Sequence, residues 1–343
     1  MGDAPFRIGI IGLGMAAAPH AEALLALEGQ VEVVAAFSPS TARREGFAAR
    51  FGLPVVDSAD AIFGDDSIRA VLILTPPNSH LELVERAAGA AQHVLLEKPL
   101  DISLARAEAV VAACRRHGVA LGVVLQNRYR AASRALLGLM AEGRLGRVIS
   151  ASIRVDNWRA QSYYDEPGRG THSRDGGGVL LTQAIHTIDL FLAAAGAPTE
   201  IFGYAATSPV HVMETEDIAV AAMRFAGGGM GTLEATTTAY PGAPERIELV
   251  GERGTARLTG SEIKAWFHDG STLTEGAAPA ATGGVVPVMA PSHDLHLALI
   301  EDFVAAIKAG RPVPVDGEKA LLAQRFIETL LRSAAERRAL PFS

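Results

Sequence analysis

Lys98 and His186 are the two side chains whose settings best suit moving a proton. Lys98 closes His93-Val94-Leu95-Leu96-Glu97-Lys98-Pro99-Leu100, an apolar run that ends in an acid, a base and a proline. Branched aliphatics in a row fit a strand buried on both faces, and Pro99 has no N–H with which to continue a ladder. Lys98 is therefore expected at the carboxyl edge of a strand, on a stiffened turn, where open parallel sheets bind ligands. An X-Pro bond in such a turn is also a candidate for the cis form. A lysine held this way can donate a proton, although a surface lysine after a strand fits the octapeptide equally well.

His186 lies in the apolar stretch 179–195, which has helical periodicity. Leu181, Ile185, Ile188 and Leu192 mark its core face, and Thr182, His186 and Asp189 fall on another. Polar groups on an otherwise apolar helix point to a site. The alternative is a core histidine satisfied by Asp189 or by a main-chain carbonyl. No second ligand stands at a strong metal-binding distance from His186, so no metal centre is expected. The glycines of Asp175-Gly176-Gly177-Gly178 would let backbone or ligand approach the start of this helix.

Lys98 needs a sheet edge, and the first half of the chain supplies alternating strands and helices. Strands are expected at Arg7–Ile11, Val31–Phe37, Ala70–Thr75, Val94–Leu96 and Ala120–Leu125. Helices are expected as a run to Leu27 following Gly12–Ala17, and at about Thr41–Phe51, Leu81–Ala91 and Ser103–His117. That order means parallel strands with right-handed crossovers, a Rossmann-type domain. Gly12-Leu13-Gly14-Met15-Ala16-Ala17 is G-x-G-x-x-A directly after the first strand. Gly12 permits the tight turn, Gly14 lets backbone approach a pyrophosphate, and small Ala17 lets helix pack on strand. Thr75-Pro76-Pro77-Asn78-Ser79-His80 follows the third strand. It is either a rigid turn, with Asn78 or Ser79 capping the next helix, or a cofactor contact. No acid ends the second strand to hold the ribose 2′-OH of NAD. Ser38, Thr41, Arg43 and Arg44 stand there instead, either receiving a 2′-phosphate or lying as solvated helix residues.

After Gln126-Asn127-Arg128-Tyr129 comes a helix to about Glu142, and then the pattern changes. Ile149, Ala151, Ile153 and Val155 alternate with polar or small residues, which fits a sheet with one buried face. Met223–Leu233 reads as a glycine-turned hairpin, with further strands at Arg246–Gly251 and Thr255–Leu258 and a Gly, Ala and Pro-rich loop over Gly276–Pro291. The expected architecture is α/β. An N-terminal Rossmann domain spans 1–127, and a C-terminal α+β domain with a large, mainly antiparallel sheet spans 128–343, its last helices free to pack back on the first domain. Between strand and helix, Trp158, Arg159, Tyr163, Tyr164, Arg169 and Thr171 crowd aromatic and guanidinium groups together. That composition suits either a hydroxyl-rich ring or a subunit interface.

The 343 residues allow two domains at about 150 residues each. A net charge of −7 disfavours nucleic acid or an anionic membrane as partner. The single cysteine, Cys114, excludes an internal disulfide or a multi-Cys metal site. With no signal-like start and no run near the ~20 apolar residues of a membrane span, a cytoplasmic protein acting on a small molecule is expected.

In order, Gly12-Leu13-Gly14, Thr75-Pro76-Pro77-Asn78-Ser79-His80, Glu97-Lys98-Pro99, Gly176-Gly177-Gly178 and His186-Thr187-Ile188-Asp189 resemble the motifs of the glucose-fructose oxidoreductase / inositol dehydrogenase / rhizopine-catabolism (Gfo/Idh/MocA) family. The tail does too, with Phe303–Ile307, Gly310-Arg311-Pro312 and Val315–Ala320. The resemblance implies an NAD(P)-dependent oxidoreductase of a sugar, cyclitol or related alcohol. It places the family's catalytic lysine on Lys98 and its catalytic histidine on His186, converging from the two domains, and implies a dimer or tetramer built through the second-domain sheet. Many relatives carry an aspartate four residues before that histidine, where this chain has Thr182. Gln183-Ala184-Ile185-His186 resembles a subgroup without that aspartate, in which glutamine could bind substrate hydroxyls.

The expected cofactor contacts are Gly12, Gly14, Met15, Ala17, Ser38, Arg43, Thr75, Pro76, Asn78, His80, Glu97, Lys98 and Gln126. The expected substrate contacts are Lys98, Arg128, Trp158, Arg159, Tyr163, Arg169, Thr182, Gln183 and His186. NAD or NADP is expected, with NADP favoured by the missing acid. A family-like glycosidase that oxidises transiently and a nucleotide-sensing protein without turnover are the rival readings.

Overall fold

The computed structural model describes residues 4–277 and 293–342. They divide into two compact units. Unit 1 runs to Gln126 and takes back the chain through Leu321; unit 2 begins at Asn127 and takes back the chain from Leu322.

Unit 1 holds β1 (Phe6–Ile11), α1 (Ala17–Ala26), β2 (Val31–Phe37), α2 (Thr41–Phe51), α3 (Asp60–Phe63), β3 (Ala70–Ile73), α4 (His80–Gly89), β4 (His93–Leu96), α5 (Leu104–His117) and β5 (Leu121–Val123). The strands pair in parallel in the order β2-β1-β3-β4-β5. Val71, Val94 and Leu96 are wholly buried, as a sheet covered on both faces requires. The helices are punctuated by side chain and glycine. Ser40 and Ser103 cap α2 and α5, whose far ends turn off at Gly52 and Gly118, both at φ 68°. Strand order reverses between β1 and β3, so the crevice at their carboxyl ends is the topological switch point of this sheet.

Unit 2 holds α6 (Ala131–Ala141), β6 (Val148–Asp156), α7 (Gln161–Tyr164), α8 (Ile185–Ala195), β7 (Glu200–Ala206), β8 (Ile218–Arg224), β9 (Met230–Thr236), β10 (Arg246–Gly251), β11 (Gly254–Thr259), β12 (Glu262–Phe267) and β13 (Thr272–Gly276). α9 (Asp294–Lys308) returns to pack on α1 in unit 1, α10 (Gly317–Glu336) follows, and β14 (Leu340–Pro341) ends the described chain in unit 2. The sheet order is β13-β12-β11-β10-β6-β9-β8-β7-β14, antiparallel throughout except for the β6–β9 pair. Its inner face carries alternate residues such as Ala151, Ile153, Val155, Ile247 and Leu249, all buried under α6 and α8. Ile149 departs from the expected alternation. It is 51% exposed, near the start of β6. The other face presents Tyr204 and Met230 to solvent, each 61% exposed. Most of the loop expected over Gly276–Pro291 lies outside the described residues, and Gly276 itself ends β13.

Candidate active site

In unit 1 the switch-point crevice is lined by loops from β1, β3 and β4. Gly12 sits at φ 101°, a conformation only glycine enters freely, and a Cβ there would lie 2.7 Å from the Leu74 carbonyl carbon. The close approach brings the β1 turn against the Thr75-Pro76 loop. Gly14 is different: a Cβ would meet nothing within 4 Å, so its smallness serves no contact inside the protein. Ala16 at the start of α1 makes no side-chain cap; the Ala17 N–H turns back to the Gly14 carbonyl at 3.1 Å and Pro19 has none, which leaves the Ala18 amide of the first turn for an anion. Just after β5, Gln126 buries its Oε1 with no hydrogen-bond partner among the described residues. A buried acceptor in that position calls for a donor. A glycine cradle, an uncapped helix amide and this acceptor together fit a dinucleotide.

Lys98 follows β4 directly, and the Lys98-Pro99 bond is cis. The Lys98 N–H donates to the Glu97 carboxylate at 3.0 Å, and the other Glu97 oxygen lies 3.0 Å from His20 Nε2 on α1. His80, expected at the cofactor, is wholly buried instead. Its Nε2 faces the Thr75 carbonyl at 2.9 Å, and its Nδ1 faces those of Pro99 and Leu100 at 3.0 and 3.2 Å. Burial holds its pKa below the ordinary histidine value, against the pull of those carbonyls. His80 therefore ties the β3 loop to the Lys98 turn and leaves no ring edge for a ligand. Glu97 likewise is engaged in holding that turn.

Neither Asn78 nor Ser79 caps α4. Asp101, fully buried, accepts from Leu81 N–H at 3.0 Å and does that work. Ser38 is also corrected: it is 2% exposed, and its carbonyl takes the Arg44 guanidinium at 2.7 Å. Arg44 is anchored further by Thr41 and Asp57, whereas Arg43 on the same turn is exposed. Met15 is 76% exposed in the glycine turn.

In unit 2 the helix predicted at 179–195 begins with a π-helical segment, Leu180–Ala184, before α8. Such segments occur mostly as local bulges and often mark functional sites. It carries Thr182 and Gln183, and the Thr182 hydroxyl donates to the Gly178 carbonyl at 2.7 Å. The glycines before it serve the protein's own packing. A Cβ on Gly178 would come within 1.7 Å of the Glu216 carbonyl oxygen, and the Glu216 carboxylate receives the N–H groups of Gly178 and Leu180 at 3.0 and 3.1 Å. Burial raises the Glu216 pKa while those amides oppose the rise.

Asp189, 1% exposed, receives Arg128 in a bidentate pair at 2.6 and 2.7 Å. Arg128, expected at the substrate, is engaged in this pair and braces α8. His186 itself is half-buried on α8, one turn beyond Thr182.

The aromatic and guanidinium segment does assemble. Arg159 donates to Gln183 Oε1 at 2.7 Å, and Gln183 Nε2 donates to the Tyr163 hydroxyl at 3.2 Å. The Arg169 guanidinium stacks 4.1 Å from the centre of the Tyr163 ring. Trp158 meets Tyr240 edge-on at 5.5 Å. A second layer that spacing does not reveal stands behind it. His211 Nε2 lies 2.8 Å from the Arg159 carbonyl, and its Nδ1 lies 2.8 Å from Asp217, which also receives Ser208. The result is a rigid set of hydroxyl, amide and guanidinium groups beside one histidine, which can orient a polyhydroxylated molecule and exchange a proton with it.

Comparison with known proteins agrees with these two units. Residues 6–125 match a family model described as an oxidoreductase family with an NAD-binding Rossmann fold, and residues 133–257 match the GFO/IDH/MocA C-terminal domain. The chain is 25% identical to myo-inositol 2-dehydrogenase of Thermotoga maritima, over 97% of this chain and 98% of that protein. It is 31% identical to 1,5-anhydro-D-fructose reductase of Ensifer adhaerens, over 65% of this chain and 67% of that one. Among solved structures, the WlbA dehydrogenase from Bordetella pertussis in complex with NADH and UDP-GlcNAcA superposes with a TM-score of 0.85 at 26% identity, covering 99% of each chain.

Proposed function

Because the chain belongs to the Gfo/Idh/MocA oxidoreductase family, we propose that it oxidises or reduces a sugar, cyclitol or related polyhydroxylated alcohol with NAD(P), using Lys98 and His186 as its proton-handling groups. The observation that carries this reading is the Lys98 turn, clamped by Glu97 at the carboxyl edge of β4 in the sheet that holds the glycine cradle. The dinucleotide, when bound, supplies the hydride acceptor or donor. The main chain of Gly12–Ala17 and the start of α1 hold its phosphates, and Gln126 offers an acceptor to an amide. Lys98 and His186 take up the hydroxyl proton as the carbon–oxygen bond gains double-bond character, and return it in the reverse direction. Arg159, Tyr163, Arg169 and Gln183 orient the hydroxyls.

A positioned acid–base group contributes ~10²–10⁴-fold in rate, so Lys98→Met and His186→Ala should each lower kcat by that order and leave dinucleotide affinity nearly intact. Near-normal turnover of Lys98→Met on the true substrate would sink the mechanism. Net reduction of the cofactor in a spectrophotometric screen of sugars and cyclitols separates this reading from an NAD-using glycosidase and from a sensor without turnover.

NADP is accepted at least as well as NAD in this reading, since no acid ends β2 and Arg43 is exposed in the first turn of α2. The ratio of kcat/KM for the two cofactors measures it. A strong NAD preference that is indifferent to Arg43→Ala and Arg44→Ala counts against it. The open face of the unit 2 sheet, with Tyr204, Val220 and Met230 exposed around a shallow pocket floored by Leu233 and Ala221, is the surface through which copies associate. Light scattering that finds only monomer at micromolar concentration, with Tyr204→Arg making no difference, would refute that assembly.

A further inference from the structure

We propose that His20, Glu97 and His296 form a binding site in unit 1 for one transition-metal dication of the zinc class. One ligand atom from each residue lies within 4.8 Å of the other two, in a cluster the reaction above does not use as a ligand site. α1 brings His20, the end of β4 brings Glu97, and α9, packed on α1, brings His296. His20 is 0% and His296 4% exposed, and their rings meet edge-on with centres 4.6 Å apart.

A simple brace for Glu97 would need one ring nitrogen of His20, at 3.0 Å, and no second histidine. Two are present. Among the described residues neither His20 Nδ1 nor His296 Nδ1 has a hydrogen-bond partner, although both atoms are buried. Leaving such a group unsatisfied is costly, and proteins seldom tolerate it without a bound ion, a water or a functional reason.

Two imidazoles and one carboxylate are the donors that zinc and cobalt(II) take, with a fourth position open. Calcium and magnesium prefer all-oxygen shells. Bonds of about 2.0–2.2 Å put tetrahedral ligand atoms about 3.3 Å apart, so the cluster closes on an ion by side-chain movements of an ångström or so. Glu97 would then link the ion to the Lys98 turn. This inference is independent of the substrate and of the direction of the reaction.

The test uses the full chain stripped with a chelator and titrated with Co²⁺, followed by visible absorption. The proposal expects one equivalent bound with the intense d–d bands of a low-coordinate site, displaced by Zn²⁺ and unaffected by Mg²⁺. Even loss of an outer-shell partner costs ~10–100-fold in metal affinity, so His296→Gln and His20→Gln should each weaken binding by more than about tenfold. The exposed His117→Ala should change nothing. Absence of a saturable spectrum overturns the proposal, as does one that survives both glutamine variants or one that His117→Ala removes. Thermal melts of the metal-free variants establish that each is folded, and Glu97→Gln replaces any histidine variant that is not.

Discussion

The cradle for the dinucleotide in unit 1 and the polar cluster in unit 2 are made of different materials. At the β1 turn main chain faces the crevice, and the side chains matter by being small: Gly12 clears the Leu74 carbonyl and Gly14 faces open space. In unit 2 the cluster is built of long side chains, each held by another. Gln183 lies between Arg159 and Tyr163, and Arg159 is steadied at its carbonyl by His211. A backbone site is fixed once its strand and helix form, and it reads a phosphate without regard to what hangs from it. A side-chain site depends on distant partners and can be retuned one residue at a time, which suits a family whose members act on different sugars.

The sharpest way to break that contrast is at Gly14. A Cβ there meets nothing within 4 Å in the protein alone, so in Gly14→Val folding and thermal stability should stay near those of the parent chain. The side chain would occupy the space where a pyrophosphate approaches. Overpacking of this kind costs about 1–3 kcal/mol, a dissociation constant for the dinucleotide roughly 5–150-fold higher. Fluorescence titration with NADH measures it. Unchanged affinity in a folded Gly14→Val chain would mean that the cradle is not where the phosphates sit.

The same contrast explains what could be read from the sequence. Strand, turn and helix in unit 1 follow local rules of apolar runs, glycines and capping serines, and β2 and α2 fall on their expected bounds, Val31–Phe37 and Thr41–Phe51. The fold of unit 2 was legible from its alternation and its glycine hairpin. What stayed hidden depends on contacts across long stretches of chain. Nothing near His80 tells that it would be enclosed by the Thr75, Pro99 and Leu100 carbonyls rather than face a cofactor. His20 and Glu97 are 77 positions apart, and His296 comes from a third element. Arg128 and Asp189, both read as site residues, pair across 61 positions of chain, because a carboxylate as buried as Asp189 needs a cation. Asp175-Gly176-Gly177-Gly178 signalled close approach correctly but not what approaches. The answer, the Glu216 segment, lies 38 residues on from Gly178.

The smallest effect is expected at Thr182, and it sharpens the contrast from the other side. An aspartate at this position would bring a charge beside His186, whereas the Thr182 hydroxyl already donates to the Gly178 carbonyl inside the π-helical turn. Removing it loses one hydrogen bond with a net worth of about 0.5–1.5 kcal/mol, and no titrating group. Thr182→Ala should therefore lower kcat/KM by less than about tenfold and leave the pH profile of kcat where it was, while His186→Ala removes a limb of that profile. If Thr182→Ala instead shifts the profile or matches the loss in His186→Ala, then the hydroxyl acts on the proton itself. The acid–base set in unit 2 would then be a threonine–histidine pair rather than a histidine alone.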